Sequence, residues 1–165
     1  MSNLTEQLLS YLKQRADMAD STQTRFQGKY KSDEALLLEY GIVFDKQIKP
    51  SPIQGEPKAC YKNCIDAILS HSDLHYCEGY GFDQDLPISL YHAWLVNDKG
   101  EVIDPTWLKK DKTIYLGVVF NKDFVLETLN EIRQYSIIEN DYKIEYKLKK
   151  NGFTSEMLNK KFHKL

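Results

Sequence analysis

A chain of 165 residues, 42% hydrophobic and 28% charged, has the make-up of one soluble globular domain large enough for a real core. Its formal net charge of −2 gives no reason to expect nucleic acid or an anionic membrane as the main partner, and no apolar run approaches membrane-spanning length. Three cysteines, an odd count without a secreted-scaffold pattern, and an N-terminus without a basic-then-apolar signal lead to an expectation of reduced thiols in a cytoplasm, with delivery into another cell by a signal-less route left open.

Residues 3 to 18 read as an amphipathic helix, with Leu4, Leu8, Leu9, Tyr11 and Leu12 near one stripe. Ser32 resembles an N-cap, with Asp33 and Glu34 in the first turn and Gly41 as a stop. Ile42 to Ile48 reads as a short strand. The three prolines and one glycine between Lys49 and Pro57 make a loop leading to a helix from about Cys60 to Leu69. Tyr61, Cys64, Ile65, Ile68 and Leu69 give that helix its buried stripe. Leu74 to Phe82 reads as a strand, broken or bulged at Gly79 and Gly81. Ile88 to Val96 and Glu101 to Asp104 form a hairpin, and Thr113 to Phe120 is a β-prone central strand. Asn121 caps a helix whose inner face is Phe124, Val125, Leu129 and Ile132. Tyr142 to Leu148 alternates like an edge strand with lysines outward, and Ser155 caps a short basic helix. Lys147, Lys149, Lys150, Lys160 and Lys161 read as solvated surface. Helices, then an antiparallel sheet, then helices again predict an α+β domain. It divides into an N-terminal helical part (1–50), a core (52–120) and a C-terminal part (121–165).

The hairpin turn carries the functional argument. Asn97-Asp98-Lys99-Gly100 suits a type I turn closed by a left-handed glycine. In that register Asn97 lies opposite Glu101, Trp94 opposite Asp104, and His92 opposite Thr106. His92 and Asp104 then share a face as diagonal neighbours, roughly 7 Å apart at the backbone. A two-residue turn would shift the register by one and send them to opposite faces.

Cys60 stands at the expected start of its helix, where free N–H groups and the helix dipole favour an anion. Cys64 belongs to the apolar stripe and Cys77 lies mid-strand, so both read as core. A thiol, an imidazole and a carboxylate at Cys60, His92 and Asp104 are the parts of a nucleophilic acyl-transfer site, acting as nucleophile, base and orienter. Gln54, six residues before Cys60, is a candidate second donor to an oxyanion. Glu78, Tyr80 and Trp94 are candidate substrate contacts; Trp94 shares a face with His92, so shielding the ion pair and filling the core are two further, compatible roles for it.

Cys60 at a helix start, His92-Ala93-Trp94 on one strand and Asp104-Pro105-Thr106 on the next resemble the papain-like superfamily, most closely its transglutaminase-like branch. Gln54 resembles the papain oxyanion glutamine. The resemblance covers about residues 52 to 120 and implies a helix packed on an antiparallel sheet. It also implies a cysteine-dependent hydrolase or acyl transferase working through a thioester on a protein, peptide or small amide or ester. Tyr61 follows Cys60 where papain carries a tryptophan, which favours a narrow substrate over broad proteolysis. No metal or other cofactor is expected, since Cys60, Cys64 and Cys77 are irregularly spaced for zinc. A catalytically silent binding protein on the same scaffold is the alternative.

Overall fold

The computed structural model describes residues 3–108 and 112–165, leaving out the side chains of residues 86 and 87. Its helices are α1 (Asn3–Thr22), α2 (Asp33–Tyr40), α3 (Cys60–Ser70), α4 (Lys122–Ile132) and α5 (Lys147–Asn151). Its strands are β1 (Ile42–Phe44), β2 (Leu74–Asp83), β3 (Leu86–Asn97), β4 (Val102–Ile103) and β5 (Thr113–Val119). The strands form one antiparallel sheet in the order β1-β5-β2-β3-β4. The protein is therefore α+β. Among the described residues, no helix is long and apolar enough to cross a membrane.

The sheet's two edges meet. Just after β1 the backbone turns to β4: Val102 N–H donates to Lys46 O at 2.7 Å, and Ile48 N–H donates to Val102 O at 2.8 Å. Gln47 and Val102 bridge in parallel. One chain segment thus pairs with β5 at one edge and β4 at the other, curling the sheet into a small barrel. Alternation along each strand separates two cores. Tyr76, Tyr80, Phe82, Ala93, Leu95, Leu116 and Val118 face outward and pack with Leu8, Leu12, Leu36, Leu37 and the α3 residues Cys64, Ile65 and Ile68. Phe44, Cys77, Trp94, Val96, Val102, Tyr115 and Val119 face inward.

The interior is narrow and holds the large rings of Phe44, Trp94 and Tyr115, so glycine is needed on its walls. A Cβ at Gly81 would lie 2.6 Å from the Trp107 ring, and one at Gly117 would lie 2.5 Å from the Trp94 ring. Of the two glycines expected to break β2, Gly81 leaves room for the Trp107 indole and Gly79 for the β5 backbone, where a Cβ would lie 2.1 Å from Leu116 O; β2 is continuous, and its irregularity falls between Phe82 and Asp83. The C-terminal segment plugs one end of the barrel. Asn159 N–H donates to Val119 O at 2.9 Å, Val119 N–H donates to His163 Nε2 at 2.9 Å, and Phe162 joins the inner cluster.

Local signals hold at the helix starts. Ser32 Oγ accepts from Ala35 N–H at 3.2 Å, and Asn121 Oδ1 accepts from Asp123 and Phe124 N–H. The 97–100 turn closes as expected: Asn97 N–H donates to Glu101 O at 3.1 Å, Gly100 has φ +76°, and Val96 pairs with Val102. The reading fails in the C-terminal part. Residues 142–148 form no edge strand; they span a 3-10 turn (Asp141–Ile144) and the start of α5. The buried Asp141 carboxylate accepts from Leu148 N–H at 2.8 Å and Lys149 N–H at 3.1 Å, which starts α5 and overrides the alternating pattern. Lys149 correspondingly lies away from solvent, 2.6 Å from Asp33 Oδ1. No helix follows Ser155; residues 155–162 make turns and a bridge from Leu158 to Phe120. The strand expected over 42–48 ends at Phe44, and Leu69, assigned to the buried stripe of α3, is exposed.

Candidate active site

The mouth of the barrel opposite the C-terminal plug holds His92 and Asp104. His92 is 3% exposed and Asp104 is fully buried. His92 Nε2–H donates to Asp104 Oδ2 at 2.7 Å. The diagonal placement drawn from the turn register therefore brings the two side chains together. Asp104 is saturated: Tyr115 O–H also donates to Oδ2 at 2.9 Å, while the backbone N–H groups of Thr106 and Trp107 donate to Oδ1 at 2.8 and 2.9 Å. The Asp-Pro-Thr-Trp turn supplies those two N–H groups because an aspartate carboxylate readily accepts from backbone two and three residues on.

Aromatic rings close the mouth around the imidazole. Trp107 stacks on His92 with centroids 4.1 Å apart, Tyr115 lies at 6.0 Å and Trp94 at 6.5 Å. Burial drives the His92 pKa down, but the Asp104 charge and hydrogen bond, together with the neighbouring Cys60 side chain, outweigh it and raise it to about 9. Burial likewise pushes Asp104 up, but the His92 charge, its hydrogen bond and the two backbone donors hold it below the ordinary carboxylate range. The pair is thus an imidazolium–carboxylate couple at neutral pH.

Cys60 is the first residue of α3, partly exposed, and close enough to His92 to act on the ring as a hydrogen-bonding and charged neighbour. With Nε2 committed to Asp104, Nδ1 is the ring nitrogen left for the thiol. The residue before it, Ala59, offers no side-chain cap to the first-turn N–H groups of α3. Cys64 and Cys77 are buried, and burial raises both thiols well above their ordinary range. Cys60 alone among the three combines exposure with a basic neighbour.

Gln54 is exposed on the loop before α3 and borders a cavity of about 510 Å³ with Ile53, Asn63 and Asp66. Its loop is tied to the Asp104 turn, since Gly55 N–H donates to Pro105 O at 2.8 Å.

Three other expectations are corrected. Glu78 and Tyr80 do not approach the site. Gly79 pairs with His92, so by alternation Glu78 and Tyr80 point to the opposite face of β2. β2 is the middle strand, and both residues are buried beneath helices and loops. Glu78 accepts from Tyr76 O–H at 2.6 Å, Ser136 O–H at 3.2 Å, and Ile137 and Ile138 N–H at 2.7 and 2.9 Å, which anchors the 136–138 loop. Tyr80 stacks against Tyr91 at 4.7 Å. Trp94 is fully buried, so it walls the ion pair and cannot touch a substrate.

Sequence reasoning passed over Tyr115, Asn63 and Thr106. Tyr115 had a signal: it lies two residues before Gly117 on a strand whose inward positions must fit beside large rings. Asn63 had none, because a polar residue one turn into an amphipathic helix reads as exposed. Among the described residues, no group of three or more His, Cys, Asp or Glu is placed to hold a metal ion. Comparison with protein-family models, curated proteins and solved structures gave no match to this chain.

Proposed function

We propose that the protein is a cysteine-dependent hydrolase or acyl transferase that acts on an amide or ester through a thioester, on a scaffold of the papain-like superfamily close to its transglutaminase-like branch. The observation that carries this is the buried His92–Asp104 pair at 2.7 Å, with a partly exposed thiol at the start of a helix beside the same ring. The chain order Cys60, His92, Asp104 and the helix packed on an antiparallel sheet support the superfamily reading.

In the proposed cycle His92 Nδ1 already holds the Cys60 proton, so the site starts as a thiolate beside an imidazolium that Asp104 steadies. The thiolate attacks the carbonyl carbon, and the new C–S bond forms as the carbonyl electron pair moves onto oxygen. The Cys60 backbone N–H and the Gln54 side-chain amide are the proposed donors to that oxyanion. Collapse breaks the C–N or C–O bond, and the leaving group takes the proton from Nδ1. Water or an amine then returns a proton to Nδ1, attacks the thioester and releases the thiolate. Trp107, Trp94 and Tyr115 surround the imidazole, so its charge is answered by Asp104 and the thiolate and not by solvent. Substrate is a protein, a peptide or a small amide or ester.

The test is chemical. Iodoacetamide near neutral pH is expected to alkylate Cys60 well ahead of Cys64 and Cys77, with the reaction slowed in His92→Ala. An activated ester is expected to leave its acyl group on Cys60, read by intact and peptide mass. Slow and equal labelling of all three thiols would overturn the proposal.

A further inference from the structure

Apart from His92 on β3, the nucleophile and its partners stand on three separate stretches of chain: α3, the 54–56 loop before it, and the 104–107 turn. One side chain joins all three. Asn63, a single turn after Cys60, is buried. Its Oδ1 accepts from Glu56 N–H at 3.0 Å, and its Nδ2 donates to Glu56 O at 2.8 Å and to Thr106 Oγ1 at 2.9 Å. The amide thus satisfies both backbone groups of Glu56, as a neighbouring strand would, and uses its remaining proton on the turn that carries Asp104. Gly55 is shaped to this contact: a Cβ there would lie 2.2 to 2.5 Å from the Asn63 amide. Gly55 N–H closes the triangle by donating to Pro105 O at 2.8 Å.

Thr106 passes the constraint onward. Its hydroxyl accepts from Asn63, and its N–H donates to Asp104 Oδ1 at 2.8 Å. A chain of hydrogen bonds therefore runs from the first turn of α3 through Asn63, Thr106 and Asp104 to His92. His92 lies 32 positions and Asp104 44 positions along the chain from Cys60, so this run of hydrogen bonds is a direct mechanical tie between nucleophile and base.

We propose that Asn63 is a positioning residue, which through Thr106 sets the Cys60 helix against the His92–Asp104 pair and holds the Gln54 loop at its side. This rests on the thiol chemistry proposed above. Misplacing reacting groups by about 1 Å costs on the order of a hundredfold, so a small loosening is measurable.

The experiment follows iodoacetamide alkylation of Cys60 against pH, by peptide mass, in the full chain. Thr106→Val removes the hydroxyl that Asn63 reaches and keeps the backbone bond to Asp104, so the fold is expected to survive with a melting temperature lowered by only a few degrees. Its Cys60 is expected to react on the order of tenfold more slowly, with the pH profile displaced toward that of His92→Ala. Thr106→Ser is expected to restore both rate and profile. Asn63→Ala is expected to move the profile in the same direction with a lower melting temperature. A folded Thr106→Val protein with wild-type rate and profile would overturn the positioning role. So would failure of Thr106→Ser to restore them, since packing and not the hydroxyl would then be at fault. If wild-type Cys60 reacts no faster than thiols of the urea-unfolded chain and ignores His92→Ala, the thiol chemistry falls and the positioning role falls with it.

Discussion

Two of the buried carboxylates, Glu78 on the middle strand and Asp104 just after the edge strand β4, are handled in opposite ways. Asp104, on the inner face, meets an imidazolium, a tyrosine hydroxyl and two backbone N–H groups, and stays ionised. Glu78, on the outer face, meets two hydroxyls and two backbone N–H groups but no cation. Burial is the dominant influence on it, ahead of those four hydrogen bonds, and pushes it up to about 7. Both are fully paired. The difference is the single positive charge of His92, and it separates a carboxylate suited to hold a catalytic base from one suited to pin a loop.

That contrast can be broken most sharply at Asp104. Asp104→Asn keeps size but removes the charge and turns one of the two acceptor oxygens into a donor. It is expected to lower acyl turnover at Cys60 by on the order of 10⁴-fold, the scale seen when an orienting carboxylate is neutralised. Burst and steady-state release of the leaving group from an activated ester measures it. A variant within tenfold of wild type would equate Asp104 with Glu78.

Glu78→Ala should do the reverse. It strands the Ile137 and Ile138 N–H groups and the Ser136 hydroxyl in the interior, so a loss of about 3–5 kcal/mol in urea unfolding is expected. Cys60 alkylation in the fraction that remains folded should be close to wild type.

The pH dependence sharpens the comparison because the signs differ. Glu78 is raised from 4.5 to about 7, so its ionisation costs stability as pH climbs through that window, up to about 3 kcal/mol. Glu78→Gln should flatten this fall, seen in melting temperatures between pH 5 and 8. His92 is raised from 6.5 to about 9, so its contribution is complete below 6.5 and is lost as pH rises through 9. Asp104 is lowered, and its contribution disappears only as pH drops through its depressed value. A loss of stability above pH 8 that persists in Glu78→Gln and vanishes in His92→Ala would assign each slope to its residue.

The smallest effect expected is at Tyr115. Tyr115→Phe removes one of four donors to Asp104 and leaves the ring in place. A destabilisation of about 1 kcal/mol is expected, with acyl turnover reduced far less than by Asp104→Asn. Equal losses in the two variants would mean that the hydroxyl, not the imidazolium, governs the carboxylate.

Short-range features of the chain were readable. The turn at 97–100 set the pairing of β3 with β4, and pairing has a period of two, so the common face of His92 and Asp104 followed from four residues. Ser32, Asn121 and the apolar spacing of 60–70 marked helices for equally local reasons. The errors lie where a distant group decided the outcome. Glu78 and Tyr80 looked close to His92 along the chain, yet alternation places them across the sheet from it. Asp141 turned an alternating segment into a 3-10 turn and a helix by accepting two backbone N–H groups seven and eight residues on.

Taken alone, the order of residues determined the α+β class, the hairpin register and the three side chains proposed for chemistry, because each depends on contacts within a turn or between adjacent strands. Tertiary structure alone decided the rest: that β1 and the residues after it join both edges into a barrel, that Trp107 and Tyr115 enclose the imidazole, and that Asn63 ties Cys60 to the Asp104 turn. Those contacts either join residues more than 40 positions apart or meet across the barrel interior, and no local periodicity records them.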